Sequence, residues 1–334
     1  MSLNERRNNI KKYLLVFVPD VIAKLISEYD YFFKFKEGYD IKGHNLGSIC
    51  LAMLNDGRLI STCHDSSDCT LKVWNLQKPS ITSGITITFA TSIKCIGVLS
   101  DNRIVVGLDR TLKIWNLQTK REDLILYGHH DVVSCVKILS NCSEYQIVSG
   151  SQDNTLKIWN YGKYSSQSQA KIVHCEFTLT GHQDTISCVE NLNDQRIVSG
   201  SFDYKIKIWN IYTKTCDFTI DTSCEILCIA VHLDGRLISG SQYRINIWNP
   251  KTGVCDLNIV SNSAIYVRSL VVLPDGQVVS GSIYGGSQIW NQYNGECEFI
   301  FNDCNIVTNL IALPDSFRHR LISAHYGGTI KMWE

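Results

Sequence analysis

Few residues in this chain stand at spacings that could do chemistry, and each group falls short. Cys63-His64-Asp65 followed by Cys69 offers the donor types of a zinc site, but too few ligands lie at a recognised spacing. Gly281 to Ser287 has the glycines of a phosphate-cradling loop without its lysine, and neither His-Glu-x-x-His nor Gly-x-Ser-x-Gly occurs. Cys224 and Cys228 lie four apart near a strand, which turns them to one face as core residues and not as a metal pair. Three histidines follow glycine, in Gly43-His44, Gly128-His129 and Gly181-His182. The reading is a protein that is not an enzyme and uses no cofactor or metal.

The elements that position these residues belong to a chain of 334 residues with 32 Lys+Arg against 32 Asp+Glu. Such a length can bury a large core. Zero net charge argues against a broad electrostatic grip on nucleic acid or anionic membrane, so neither is expected as a partner. The 14 cysteines sit mostly in apolar runs such as Ser134-Cys135-Val136 and Ser187-Cys188-Val189. There they act as small hydrophobes, which fits a reducing compartment and a cytoplasmic location. Arg6, Arg7, Lys11 and Lys12 precede the apolar run Tyr13 to Val18, but that run ends at Pro19-Asp20 without a small-residue cleavage site, so it is not read as a signal peptide. No apolar stretch approaches the ~18 residues of a membrane span.

The seven tryptophans, Trp74, Trp115, Trp159, Trp209, Trp248, Trp290 and Trp333, recur at spacings of 41, 44, 50, 39, 42 and 43 residues. Each ends a short alternating segment, as in Leu112-Lys-Ile-Trp-Asn and Ile206-Lys-Ile-Trp-Asn, which predicts a half-buried strand. Upstream lies a second strand, such as Arg58-Leu-Ile-Ser or Arg196-Ile-Val-Ser, and before it a third. The turn dipeptides Asp56-Gly57, Asp101-Asn102, Asp234-Gly235 and Asp275-Gly276 join the two. A fourth strand follows the tryptophan, as in Cys216-Asp-Phe-Thr-Ile. Four strands per repeat, seven times over, predict an all-β, seven-bladed propeller.

Period, tryptophan placement and the Gly-His dipeptides together resemble the WD-repeat β-propellers of the β-transducin type, over residues 34 to 334. The resemblance implies a hydrogen-bonded tetrad of His, Ser, Asp and Trp within a blade. It maps to His129, Ser149, Asp153 and Trp159, to His182, Ser199, Asp203 and Trp209, and to His44, Ser61, Asp68 and Trp74, the last with a three-residue insertion. These histidines are read as structural. Six of the seven tryptophans are followed by Asn where the family has Asp, and Asn can make the same local turn. Four repeats lack Gly-His, which puts the rigidity of the blades ending at Trp115, Trp248, Trp290 and Trp333 in question. The family closes its ring with an N-terminal strand in the last blade, and residues 36 to 41 take that place here. The longest spacing contains a polar stretch, Tyr161 to Ala170, read as a surface loop.

The resemblance further implies that loops linking second and third strands ring one mouth of the channel and receive a peptide or protein. Those turns carry Arg110, Tyr204, Tyr243, Arg244, Tyr284 and Tyr326, with Tyr266 and Arg268 from a neighbouring loop. Tyr and Arg are enriched at interaction hot spots. Residues 1 to 33 precede the repeats. Pro19 followed by Val21, Ile22, Leu25, Ile26 and Tyr29 predicts a short amphipathic helix. Its segment from Val18 also resembles the opening helix of an F-box, the module that ties substrate receptors to ubiquitin ligases. A working F-box, a degenerate remnant and a helix packed on the propeller all stay open. The overall build resembles proteins encoded by giant DNA viruses of amoebae, which would make the compartment the host cytoplasm. Two functions follow: a noncatalytic interaction scaffold, monomeric within a larger complex and binding a protein or peptide ligand, or a substrate-recognition subunit that meets a ubiquitin-ligase adaptor.

Overall fold

The computed structural model describes residues 37–333 except 46, 48, 66, 77–82, 140–145, 163–170, 193–195, 261–265, 302–305 and 314–320. These residues form 29 strands in seven sheets. The first strand, β1 (Glu37–Lys42), stands apart in sequence from the sheet it joins. Blade 1 is β2 (Ile49–Met53), β3 (Leu59–Cys63), β4 (Thr70–Trp74) and β5 (Ser83–Thr88). Blade 2 is β6 (Ile93–Val98), β7 (Ile104–Leu108), β8 (Thr111–Asn116) and β9 (Arg121–Tyr127). Blade 3 is β10 (Val133–Leu139), β11 (Gln146–Ser151), β12 (Leu156–Asn160) and, after β13 (Lys171–His174), β14 (Phe177–Leu179). Blade 4 is β15 (Ile186–Asn191), β16 (Arg196–Ser201), β17 (Lys205–Asn210) and β18 (Thr215–Asp221). Blade 5 is β19 (Cys228–Val231), β20 (Leu237–Gly240), β21 (Arg244–Trp248) and β22 (Cys255–Val260). Blade 6 is β23 (Val267–Val272), β24 (Val278–Ser282), β25 (Ser287–Trp290) and β26 (Cys297–Ile300). Blade 7 is β27 (Val307–Ala312), β28 (Leu321–His325) and β29 (Thr329–Trp333), with β1 as its outer strand.

Second strands such as β3, β7, β24 and β28 are buried at every residue, because a neighbouring blade covers each face. Outer strands such as β5 and β22 have one solvated face and alternate. Apolar burial falls into seven clusters, each shared by two adjacent blades. Ile41, Ile49, Leu59, Ile322 and Ile330 belong to the cluster between blades 7 and 1, so the core is continuous around the ring.

Close approach sets the small residues of this core. A Cβ on Gly150 would stand 2.6 Å from Ile186 Cγ2 and 2.7 Å from Cys135 Sγ. At Gly200 it would meet Ile226 Cγ2 and lie 2.8 Å from Cys188 Sγ. The cysteines beneath these glycines are packing groups, and burial pushes the Cys188 thiol up to about 12 and the Cys135 thiol higher still. Turn chemistry matches the dipeptides, with Gly57 and Asn102 at φ 83° and 65°. The Asn after five of the tryptophans organises the next turn: Asn210 Oδ1 accepts from the backbone N–H groups of Tyr212 and Thr213 at 3.0 and 3.1 Å.

Strand β1 runs antiparallel to β29, with Asp40 opposite Lys331 and Ile41 opposite Ile330, and lies one residue later than the sequence reading placed it. Blade 2 departs from four strands: β13 adds a fifth, parallel to β9, pairing Ile172 with Ile125 and Val173 with Leu126. The long spacing is thus a segment that crosses back to the preceding blade before completing its own. Tyr161, read as the start of a surface loop, is 2% exposed and packs with Trp159 and Val173; residues 163–170 and the N-terminal helix of residues 1 to 33 lie outside the described residues.

Two outcomes follow from this packing. Gly200→Ala should overpack the contact with Ile226 and Cys188 and lower stability by about 1–3 kcal/mol in urea unfolding. Deleting residues 1–43 strips β29 of its partner, and a clear fall in melting temperature with aggregation is expected by light scattering.

Candidate functional site

The three histidines sit in loops that enter an inner strand, facing the turn between second and third strands. His129 Nδ1 lies 2.8 Å from Asp153 Oδ2 and Nε2 lies 2.7 Å from Ser149 Oγ, which accepts the Trp159 indole N–H at 2.9 Å. The same chain runs through His182, Asp203, Ser199 and Trp209 at 2.8 Å per link. In blade 1, His44 stands 3.2 Å from Asp68 and 2.8 Å from Ser61, which accepts from Trp74 at 2.8 Å. Because each serine receives the indole N–H, its own hydrogen goes to Nε2, and Nδ1–H is left to donate to the carboxylate.

Connectivity of this kind, Ser to His to Asp, is also that of a nucleophilic triad. Ser61, Ser149 and Ser199 are fully buried beneath the tryptophans, so no substrate can reach them. Burial holds the His182 imidazole below its usual range, against the opposing pull of Asp203. Burial acts to raise the Asp203 carboxyl, but the N–H groups of Gln183 and His182 outweigh it and hold the group below the usual carboxylate range.

Blades without Gly-His keep part of this arrangement. Trp248, Trp290 and Trp333 donate to Ser239, Ser280 and Ser323 at 2.8, 2.7 and 2.8 Å. In blade 7 the missing histidine is supplied from within the strand, where His325 Nε2 lies 2.9 Å from Ser323 Oγ; the Ser-x-His pattern was its sequence signal. Blade 2 alone has neither partner. Val106 takes the serine's place, Phe89 packs edge-on to Trp115 at 5.0 Å, and the indole Nε1 of Trp115 has no hydrogen-bond partner.

One metal-like grouping occurs among the described residues: His44, Cys63 and Asp68, with ligand atoms within 4.8 Å of one another. It is not the Cys63-His64-Asp65 set, and its donors are engaged. Both His44 nitrogens are bonded within the tetrad. Cys63 Sγ accepts the Asp65 N–H at 3.4 Å, the role Ser151 Oγ plays for Asp153 at 3.0 Å, and burial raises its thiol.

Antiparallel order puts the turns between second and third strands at the same end as the loops entering the inner strands. That end is the mouth. Arg110, Tyr204, Tyr243, Tyr284 and Tyr326 are exposed there, with Tyr284 the most open at 72%. Arg244 begins β21 and is half-buried, while Arg268 is an exposed residue of inner strand β23 and not of a loop. Across blades 5 and 6 the structure brings together Tyr243, Tyr266 and Tyr284, with ring centroids 6.2 and 6.4 Å apart in sequence. Gln242 Nε2 donates to the hydroxyls of Tyr243 and Tyr266 at 2.9 and 2.6 Å. The other residues stand singly on their blades. Burial, then the positive charges of Lys94 and Arg268, lower the His64 imidazole against the opposing pull of Asp65. Exposed Tyr212 and Tyr293, which the sequence reading passed over, lie in turns after the third strand at the opposite end.

His182→Ala should cost about 1–3 kcal/mol by denaturant midpoint, the usual penalty for leaving buried polar partners unsatisfied. His44 and His182 both have depressed values in the folded state. The unfolded chain therefore takes up protons first as pH falls below about 6.5, and stability should drop between about pH 7 and 5 in urea titrations. Asp153 and Asp203, also depressed, extend the loss at lower pH.

A family model described as WD domain, G-beta repeat, matches residues 35–75, 121–160 and 173–210. The chain is 35% identical over 83 residues to coatomer subunit beta'-2 of Arabidopsis thaliana, covering 25% of this chain and 8% of that one. It is 29% identical over 120 residues to ribosome biogenesis protein YTM1 of Coccidioides immitis, covering 34% and 24%. It thus spans less than a quarter of the length of these curated relatives. The WD40 β-propeller domain of Doa1 superposes with a TM-score of 0.75 over 90% of this chain and 96% of that one, at 18% identity, a likeness of fold. Matched repeats, indole-to-serine bonds in six blades and the closed seven-bladed ring agree: the chain carries WD40 repeats and folds as a seven-bladed β-propeller.

Proposed function

We propose that the protein is a noncatalytic interaction scaffold that binds a peptide or protein segment across the mouth of the propeller. The observation that carries this reading is the open aromatic run Tyr243, Tyr266 and Tyr284, held by Gln242. Rings supply large contact area at low entropic cost, and Arg244 and Arg268 beside them supply charge-assisted bonds to carboxylates or carbonyls.

Backbone strain supports the same reading. Tyr204 and Tyr243 adopt φ 63° and 72°, a region that bulky residues rarely enter. At the position equivalent to Tyr204, blade 3 uses Asn154 at φ 64°, which tolerates that conformation. Keeping a tyrosine there costs stability, and strain of this kind collects at functional sites.

Capture from the native source with the tagged full chain tests the reading. Tyr243→Ala combined with Tyr284→Ala should weaken the recovered partner by about 2 kcal/mol or more, while Tyr212→Ala combined with Tyr293→Ala at the opposite end should leave it intact. The reverse pattern would place the docking surface at the other end. Tyr204→Asn should raise the unfolding free energy by about 1 kcal/mol while weakening the partner.

A further inference from the structure

Blade 2, the one blade among the described residues whose tryptophan lacks a serine, also carries an open cleft. Its volume is about 840 Å³, and Phe89 and Trp115 are among the residues that line it. The other six tryptophans are at most 7% exposed, whereas Trp115 is only half-buried. With Val106 in the serine's place the indole N–H of Trp115 is left unbonded, and this is the tryptophan that lines the cleft.

Charge on the walls is uneven. Asp109, in the turn between second and third strands, and Asp131, in the loop entering blade 3, both line the cleft. They are held side by side because Val133 N–H donates to the Asp109 carbonyl at 2.6 Å. One Asp131 oxygen accepts the Val132 N–H at 2.8 Å. Opposing them, Lys113 is already bonded to Glu122 at 2.6 Å, and Arg110 is exposed to solvent. Among the described residues, then, the two carboxylates line the cleft with one cation, Arg110, for which no ion pair is found, beside two aromatic rings.

We infer that this cleft receives a cationic side chain, the lysine or arginine of a bound segment, with its stem on Phe89 and Trp115 and its head group at Asp109 and Asp131. The inference rests on the mouth as the binding face. Aromatic faces attract such cations, and long aliphatic stems cover rings well. The acidic partner residues suited to Arg244 and Arg268 belong to the other side of the mouth, so a segment spanning it would be basic at one end and acidic at the other.

Small probes test this without any partner. The full chain is titrated with N-acetyl-arginine amide, N-acetyl-lysine amide, N-acetyl-glutamate amide and N-acetyl-leucine amide while tryptophan fluorescence is followed. Side-chain-sized ligands bind at about millimolar strength, and the two cationic probes should give a saturable change that Trp115→Phe removes. Asp109→Asn, which keeps a residue suited to φ 45°, should weaken them about threefold, the size of one exposed charge contact. Equal or tighter binding of the glutamate or leucine probe, an unchanged Asp109→Asn variant, or no saturation below about 50 mM would overturn the inference. The probes report on this cleft alone, so their failure leaves the partner-capture result standing, and loss of that result leaves theirs.

Discussion

Each second strand is buried on both faces only because a blade stands on either side of it. From this constraint the rest of the structure follows. No blade can satisfy its own core, every apolar cluster is shared by two neighbours, and the series must close on itself or leave two faces bare. Closure is made by β1 on β29 and by the shared cluster between blades 7 and 1. Polar clips add to it at the end away from the mouth: Asn55 Nδ2 donates to the Leu99 carbonyl at 2.9 Å, Asn191 Nδ2 to that of Ile138 at 2.8 Å, and His232 Nε2 to that of Gly276 at 3.0 Å.

Within that frame the tetrads solve a local problem. A tryptophan at the blade's heart brings an N–H into an apolar layer, where an unpaired donor is costly. Six blades answer with a serine, and three of them extend the chain through a loop histidine to a carboxylate. Blade 7 reaches a similar end with a histidine two residues along the same strand. The indole's hydrogen bond therefore does not depend on the Gly-His dipeptide. Blade 2 gave up the arrangement, and β13 lies against its outer strand.

The ring leaves side chains over at its mouth. Tyr204 and Tyr243 stand exposed on strained turns, so the blade below does not rely on them for its core. The same separation distinguishes the tetrads from a nucleophilic triad of the same order: their serines are sealed under tryptophans, while the open surface carries Tyr and Arg.

The number of blades, the strand order and the tetrad residues were legible in the sequence, because each depends on local spacing: Trp every forty-odd residues, Ser nine to thirteen before it in six blades, and a turn dipeptide between strands. The Gly and Cys of the core could be read as small and buried, but not as partners, since Gly200 and Cys188 meet only through the register of β15 on β16, and Ile226 of blade 5 closes over them only when the two blades pack. His325 lies inside a strand and not in the loop where the Gly-His dipeptides stand, so the motif that marks the other histidines does not mark it. The crossing of β13 into blade 2 left no local mark, as parallel pairing joins residues some forty-seven apart, Lys171 with Leu124. Tertiary structure alone decided which mouth residues act together. Tyr243 and Tyr284 lie on successive blades and become one surface only because Tyr266 stands between them. Likewise Asp109 and Asp131 become neighbours only where the turn of blade 2 bonds to the first residue of blade 3.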